Sequence, residues 1–497
     1  MTLGVAGLQD ASREDLLALI AELRAVNASL LARIAQQDQQ IVEQQEQIAA
    51  LQRAVSRNSG NSSMPPSGDD QPGRKIPPRT QGKGGKRGKR PGAPGSGLAW
   101  RAVPDSTVDH RPAGLCGCGS DLGVAADEGV VRSHQVHEVP LASAKVVQHD
   151  LHAARCGCGR VHVAARPGEV VDAPVSYGPN LRALVVYLLV FQHVPVARCA
   201  QLVADLTGAR PSTGFIHAML ARAADAVADV IKLIRTLITA AVVAGFDETT
   251  LRVGPAGTRK YVLSASTDTC ALFWLGGRNL ETFTAFGILP AYTGIAVHDR
   301  YSLYDHPDLT ARLAGHQLCT AHLLRDLADA AETYPDQHWP PQAIRALRAL
   351  IGAAATARTA GQPAVPTDIA DPLIQEFRQA VAVGLSQIRR VPGPTATTKQ
   401  PVGRLLLECL RNRHHDVLRF VTDTRIWPTN NTSERDLRPL KTQQKISGRL
   451  TSEATTRHRL ALRSYITTAA KHGINIMTAI HDAITGQPWT PPATAGT

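Results

Sequence analysis

What this chain can fold into is limited most by the stretch from Trp427 to Arg449, WPTNNTSERDLRPLKTQQKISGR. Glu434 is followed there by Arg435, Arg438, Lys441, Lys445 and Arg449, with no apolar run to explain the crowding. A carboxylate so surrounded holds either a metal or a salt bridge. Ser433 with Asp436 three residues on has the form of a capping box, which puts Glu434 in the first turn of a helix, where the macrodipole favours an anion. Pro439 is then expected to break or kink that helix one turn later. On its own, the stretch reads equally well as a charged, solvated helix start.

Two aspartates elsewhere change the balance. Asp247 in AAVVAGFDETTLRV and Asp299 in TGIAVHDRYSLY each end a short apolar run of strand type. Two acids from strands and one from a helix can converge on a pair of divalent cations, which carry out in-line phosphoryl chemistry when about 3.5–4 Å apart. Such oxygen donors suit Mg2+. Strands are predicted at 242–247, 259–266, 270–275 and 294–299, with a short helix at 281–286, in the order β-β-β-α-β. The stretch from Asp299 to Glu434 is too long for a loop. Its Ala-, Leu- and Arg-rich pattern predicts an all-helical insertion with helices at 317–333, 340–360, 368–390 and 399–422. Inside it, Cys319 and His322 form a C-x-x-H pair that lacks two further ligands in sequence and reads as a helix start packed near the acids.

Toward the N-terminus, Ile20, Asn27, Ile34, Ile41, Ile48 and Val55 take heptad position a, and Leu16, Leu23, Leu30, Gln37, Gln44 and Leu51 take position d. Ile at a with Leu at d favours two parallel strands, and a single Asn at a fixes register. A dimeric coiled coil is expected, against a helix folded back on its own domain. RNSGNSSMPPSGDD follows, with nothing to bury. From Arg74 to Arg90 there are then eight Lys or Arg, Arg74, Lys75, Lys86, Arg87, Lys89 and Arg90 among them, and no acid. Such a segment cannot build a core and is expected to be a disordered arm that grips phosphates without reading sequence.

Cys116, Cys118, Cys156 and Cys158 fall in two matched CGCG tetrads flanked by VVRSHQVHEV and KVVQHDLHAAR, both strand-like. Four thiolates suit a tetrahedral structural Zn2+ site, although the C-x-C spacing is tighter than usual. His134, His137, His149, His152 and His162 are reserve ligands. Helices are predicted at 180–191, 195–206 and from 212, a spacing that fits either a DNA-reading helix-turn-helix or plain helical packing. Two further helices, at 454–471 and 474–485, cover the core.

A formal charge of +12 at 497 residues points to a polyanionic partner, nucleic acid before membrane. The longest apolar run, near 183–191, is too short to span a bilayer, and no basic-then-apolar leader pattern opens the chain. The expected location is the cytosol, on DNA.

FDET at Asp247, HDRY at Asp299, CTAHLLRDL from Cys319 and NNTSERDLRPLK from Asn430 together resemble the insertion-sequence-66 transposases, a family of DDE transposases, over nearly the whole chain. The resemblance implies a multidomain α/β protein. Its parts would be a coiled coil for dimerisation at 12–56, a basic Gly/Pro-rich linker at 57–100, a small zinc-binding domain at 101–173 and a helical, helix-turn-helix-like DNA-binding region at 178–240. A ribonuclease-H-like catalytic core would follow at 241–300 and 427–450, interrupted by the all-helical insertion at 301–426 and closed by C-terminal helices at 451–486.

By the same resemblance Asp247, Asp299 and Glu434 are the catalytic triad and hold Mg2+, with Mn2+ able to substitute. Lys441 is similar to the basic residue that follows the acid in such enzymes, and Arg435, Arg438 and Lys445 join it in holding phosphates. The implied activity is cleavage and strand transfer at terminal inverted repeats, joining them to target DNA. Partners would be DNA, a second copy or higher oligomer, and accessory proteins of the same element, in a bacterial, nucleoid-associated setting. A domesticated, non-catalytic DNA-binding protein and a repair or recombination nuclease are the alternatives.

Overall fold

The computed structural model describes residues 12–56, 100–137, 143–168, 170, 172–394 and 398–493. The linker expected at 57–100 lies outside them except for Trp100, and Arg74, Lys75, Lys86, Arg87, Lys89 and Arg90 lie outside them entirely. Helix α1 is Arg13–Ser56. Ser12 Oγ accepts from the Asp15 N–H at 3.2 Å, and Asp15 accepts from the Ser12 N–H at 3.2 Å, so a capping box opens it. Its heptad residues Ile20, Leu23, Leu30, Ile34, Ile41 and Ile48 are all exposed.

The chain divides into two compact units, one of 80–176 with 196–216 and a larger one of 1–79, 177–195 and 217–497. In the smaller unit, β1 (Ala153–Arg155) and β2 (Val161–Val163) pair antiparallel on either side of the second cysteine tetrad. Among the described residues little else of the two strand-like runs forms strand: in VVRSHQVHEV, Val130, Val131 and Val136 are exposed and outside the sheets. From 179 to 240 the chain is helical: α2 (Pro179–Val186) continues into a π-helical turn at Tyr187–Phe191, and α3 (Val196–Thr207), α4 (Thr213–Ala226) and α5 (Ala228–Ala240) follow. Gly208, at φ +74, turns the chain after α3.

The larger unit holds a five-stranded mixed sheet. Its strands are β3 (Val243–Leu251), β4 (Lys260–Ser266), β5 (Ala271–Gly276), then, after α6 (Leu280–Phe286), β6 (Ile295–His298) and, after α7 (Pro307–Thr310), β7 (Gly315–Leu318). The spatial order is β5-β4-β3-β6-β7, antiparallel among the first three and parallel from β3 to β6 to β7. The central β3 is buried along most of its length, and its near-continuous apolar start reads accordingly.

β7 corrects the expectation that 301–426 is wholly helical. Only Leu318 in GHQL is a strand-forming apolar residue, and side-chain bonds secure the rest: buried Gln317 donates to the Val417 carbonyl at 3.0 Å and accepts from the Phe420 N–H at 3.1 Å. The insertion proper is α8 (Thr320–Thr333), α9 (Trp339–Thr359), α10 (Thr367–Gln387), α11 (Arg404–Asn412) and α12 (His414–Thr422). The single helix expected at 399–422 is two, broken at Arg413. Trp339, Leu347, Phe377, Leu407 and Phe420 form a core continuous with Val297 and Leu318 of the sheet. Each fully buried Leu or Phe in it contributes on the order of 1.5–3 kcal/mol.

The chain ends in α13 (Asn431–Ile446), α14 (Glu453–Lys471) and α15 (Ile476–Ile484). Leu437 and Leu440 of α13 and Leu460 of α14 pack on Leu251, Val262 and Phe273. Pro439 does not break α13. Leu437 and Leu440 on either side of it are held in the core, and Asp436 pairs with Lys471 at 2.7 Å, which offsets the lost backbone bond.

Candidate active site

Asp247 within β3 and Asp299 just past the end of the neighbouring parallel strand β6 stand level. Gly245 of β3 pairs with Val297 of β6, so each acid lies two residues beyond a matched pair. Asp247 Oδ1 accepts the Glu248 N–H at 2.9 Å, and Asp299 Oδ1 accepts the Tyr301 N–H at 2.8 Å.

Glu434 arrives from the first turn of α13, whose start is fastened by the residues around it. Thr320 donates its N–H at 2.9 Å and its hydroxyl at 2.8 Å to the Pro428 carbonyl. Asn430 donates its N–H to Cys319 Sγ at 3.2 Å and its side-chain amide to the Phe246 carbonyl at 2.6 Å. A Cβ on Gly245 would meet Asn430 Oδ1 and would lie 2.5 Å from Ser433 Oγ, so the helix sits against β3 only because Gly245 has no side chain. The capping box read at Ser433 and Asp436 does not form. The helix begins earlier, at Asn431, which leaves Ser433 buried in its first turn and Asp436 paired with Lys471.

These contacts bring the three acids within electrostatic reach. Burial, followed by the charges of Glu248, Asp299 and Glu434, pushes the pKa of Asp247 well above the usual carboxylate range. Glu434 Oε1 is buried with no hydrogen-bond partner. Among the described residues the clusters of three candidate ligands are Cys319, His322 and Glu434, and His298, Asp305 and His316, so the three acids do not form one tight cluster of their own. Oxygen donors that repel one another and include an unpartnered buried oxygen nonetheless fit a divalent cation, whose charge would relieve both penalties.

Cys319 and His322 do pack beside the acids. The Cys319 N–H donates to the His298 carbonyl at 2.8 Å, and His322 Nδ1 lies 3.9 Å from Glu434 Oε1. Burial pulls the His322 pKa down against the opposing charge of Glu434, and it pushes the Cys319 thiol up to about 11.

The cations after Glu434 separate into two groups. Lys441 is half-buried, its Nζ 3.2 Å from Thr250 Oγ1, and burial lowers its pKa although the nearby Asp247 opposes this. Arg449 donates to the carbonyls of Pro255 at 2.8 Å and Thr258 at 3.0 Å, which makes it a clamp on the β3–β4 turn. Arg435, Arg438 and Lys445 lie on the exposed side of α13.

Around the two cysteine tetrads the same turn forms twice. Cys116 donates its N–H to Ser120 and accepts from Gly119, at 2.8 and 2.7 Å, and Cys156 does so with Arg160 and Gly159, at 2.7 and 2.8 Å. Hydrogen bonds from Ser120 first, and then from Cys116, lower the Cys118 thiol to about 7, and those from Cys158 lower Cys156. All four sulfurs are exposed and free, two at each turn, and none joins the clusters of three or more ligand groups found among the described residues.

The model of the transposase IS66 family matches residues 174–458 of this 497-residue chain, more than half of it. The chain belongs to the IS66 transposase family. No curated protein matches it. The matched span of this IS66-family transposase holds all three acids, the C-x-x-H pair and the whole sheet, while α1 and the cysteine tetrads precede it. Membership implies DNA as the partner, and such transposases normally use divalent metals. Among the described residues no helix is long and apolar enough to cross a membrane.

Several residues at the transposase's site were not singled out by the sequence reading. Glu248 is buried, pairs with Arg278 at 2.6 Å and accepts the Tyr304 hydroxyl at 2.6 Å. Arg278 in turn lies over the Tyr301 ring at 3.7 Å from its centroid. His298 and His316 meet at 2.9 Å behind Asp299. The adjacent acid in FDET was the only signal for Glu248, and the histidine of HDRY the only one for His298.

Proposed function

We propose that this transposase is a DDE enzyme that binds the terminal inverted repeats of an insertion sequence, cleaves their 3′ ends and joins them to target DNA. Asp247, Asp299 and Glu434 would hold two Mg2+ ions, with Mn2+ able to substitute. The observation that carries this reading is the fastening of the helix that bears Glu434 to the strand that bears Asp247, by the Asn430 amide on the Phe246 carbonyl at 2.6 Å and by the close approach at Gly245. When bound, the ions would activate the attacking oxygen and stabilise the leaving oxygen of an in-line displacement.

The chain's own residues do the positioning. Asn430 and Gly245 fix the approach of Glu434 to Asp247. Lys441, held at Thr250, stands ready to take a phosphate as DNA enters, and exposed Arg435, Arg438 and Lys445 grip the backbone beyond it. Arg74, Lys75, Lys86, Arg87, Lys89 and Arg90 add a sequence-blind grip. The β5-β4-β3-β6-β7 order, with three antiparallel strands followed by two parallel additions, supports a ribonuclease-H-like core carrying a helical insertion.

Two further parts belong to this reading. The exposed apolar stripe of α1 supports pairing of two copies as a coiled coil. The repeated turn and the lowered thiols support Cys116, Cys118, Cys156 and Cys158 as ligands of a structural Zn2+, two from each tetrad.

The test is Mg2+-dependent nicking of a terminal-repeat duplex by wild type, Asp247→Asn and Asp299→Asn. Loss of nicking in both variants, with repeat binding retained, is expected; full nicking by either one refutes the assignment.

A further inference from the structure

Cys319 Sγ, His322 Nδ1 and Glu434 Oε1 all lie within 4.8 Å of one another. His322 Nδ1 and Glu434 Oε1 are both buried without a hydrogen-bond partner, and at 3.9 Å they are too far apart to bond each other. Two such orphaned atoms facing each other each carry an unrelieved desolvation cost. A single ion with bonds of about 2.0–2.3 Å would satisfy both.

We infer that His322 is a nitrogen ligand to the cation held by Glu434, so that this half of the site binds a divalent transition-metal ion such as Mn2+ more tightly than the Mg2+ it also takes. The inference rests on the reading of Asp247, Asp299 and Glu434 as a cation site.

Its chemistry follows from the donor types. Imidazole suits transition metals, whereas Mg2+ prefers oxygen and water throughout its shell. A ligating imidazole offers the lone pair of a ring nitrogen, and His322 Nδ1 is buried and unbonded 3.9 Å from Glu434 Oε1. The position of the ring is fixed from both sides. It sits in the first turn of α8, whose start is anchored by the Cys319 N–H on His298 and by Thr320 on Pro428, and the start of α13 is tied to Cys319 Sγ through Asn430. Cys319 supplies a soft third donor, open to an ion able to displace its proton.

Pulsed electron paramagnetic resonance of Mn2+ bound to the full-length protein tests this directly, because a coordinated imidazole leaves a nitrogen modulation that carboxylates do not. Wild type, His322→Gln and Glu434→Gln are compared, with His322→Asn as a second ring-removing variant and circular dichroism to confirm retained helix. The expected result is nitrogen modulation in wild type that is lost in both His322 variants, with Mn2+ affinity falling about tenfold or more. Mn2+ bound in a Glu434-dependent way without nitrogen modulation would overturn the inference alone, as would modulation that persists in the His322 variants. Mn2+ binding that ignores Glu434→Gln would overturn both the inference and the cation-site reading beneath it.

Discussion

Asn430 donates its side-chain amide to the Phe246 carbonyl at 2.6 Å, which ties the helix carrying Glu434 to the strand carrying Asp247 one residue before that acid. The bond is buried, so its geometry is maintained without competition from water. Asn430→Ala is expected to cost about 1–3 kcal/mol in urea unfolding, because it leaves a buried carbonyl unpaired. It should slow strand cleavage by on the order of 100-fold, more than the stability loss explains, since small displacements of catalytic groups are expensive. Cleavage at the wild-type rate would show that this bond does not set the site.

Asp247 enters the folded state with its pKa raised, by burial first and neighbouring acids second. Its contribution to stability is therefore full below the ordinary carboxylate range and is lost as pH rises through the raised value. The metal-free Asp247→Asn variant should be more stable than wild type at neutral pH, by on the order of 1 kcal/mol or more, and the gap should close as pH falls. Mg2+ binding by wild type should release protons. Calorimetric titration in buffers of different ionisation enthalpy measures that release, and none would count against a protonated Asp247.

His298 behaves oppositely. Burial, with His316 and Arg413 nearby, lowers its pKa from 6.5 to about 3, so its contribution is full above 6.5 and drains as pH falls toward 3. Its Nδ1 meets the Asp299 carbonyl and its Nε2 meets His316, which keeps the strand end beneath Asp299 in place. His298→Gln should destabilise the protein at pH 7 by about 1–3 kcal/mol and narrow or reverse that deficit at pH 5. Urea unfolding at the two pH values measures this, and equal deficits at both would remove His298 from the acid sensitivity.

Much of the core was legible because β3, β4, β5 and β6 each carry an apolar run and Asp299 marks the end of β6, although β3 runs on past Asp247 to Leu251. β7 was not, because Gly315, His316 and Gln317 have little strand propensity of their own and owe their strand to backbone pairing with β6 and to bonds with α12, the Arg419 guanidinium on the His316 carbonyl and the Gln317 side chain on Val417 and Phe420. The partner of the C-x-x-H pair was equally hidden. His322 and Glu434 are far apart in sequence, and only the fold brings them to 3.9 Å. Pro439 misled for a related reason, since local chemistry said break while packing of Leu437 and Leu440 held the helix. Gly245 gave no signal at all, because a glycine required for close approach looks like any other.

The exposed cations of α13 should act on DNA uniformly across sequences. Replacing Arg435, Arg438 and Lys445 by Ala should weaken repeat and random duplexes alike and flatten the salt dependence by about one unit of slope per lost contact. Arg449→Ala should instead lower stability, because its guanidinium binds the Pro255 and Thr258 carbonyls. Fluorescence anisotropy over a salt series separates the two, and a sequence-selective loss in the triple variant would contradict the phosphate-gripping role.

The most direct measurement is strand transfer in vitro by purified wild type and Glu434→Gln, with Mg2+ and a duplex ending in the element's own terminal repeats. Joined products from wild type and none from the variant, with equal DNA binding and folding, is the result expected if Asp247, Asp299 and Glu434 form one metal-dependent site. Equal joining by both proteins would contradict that site.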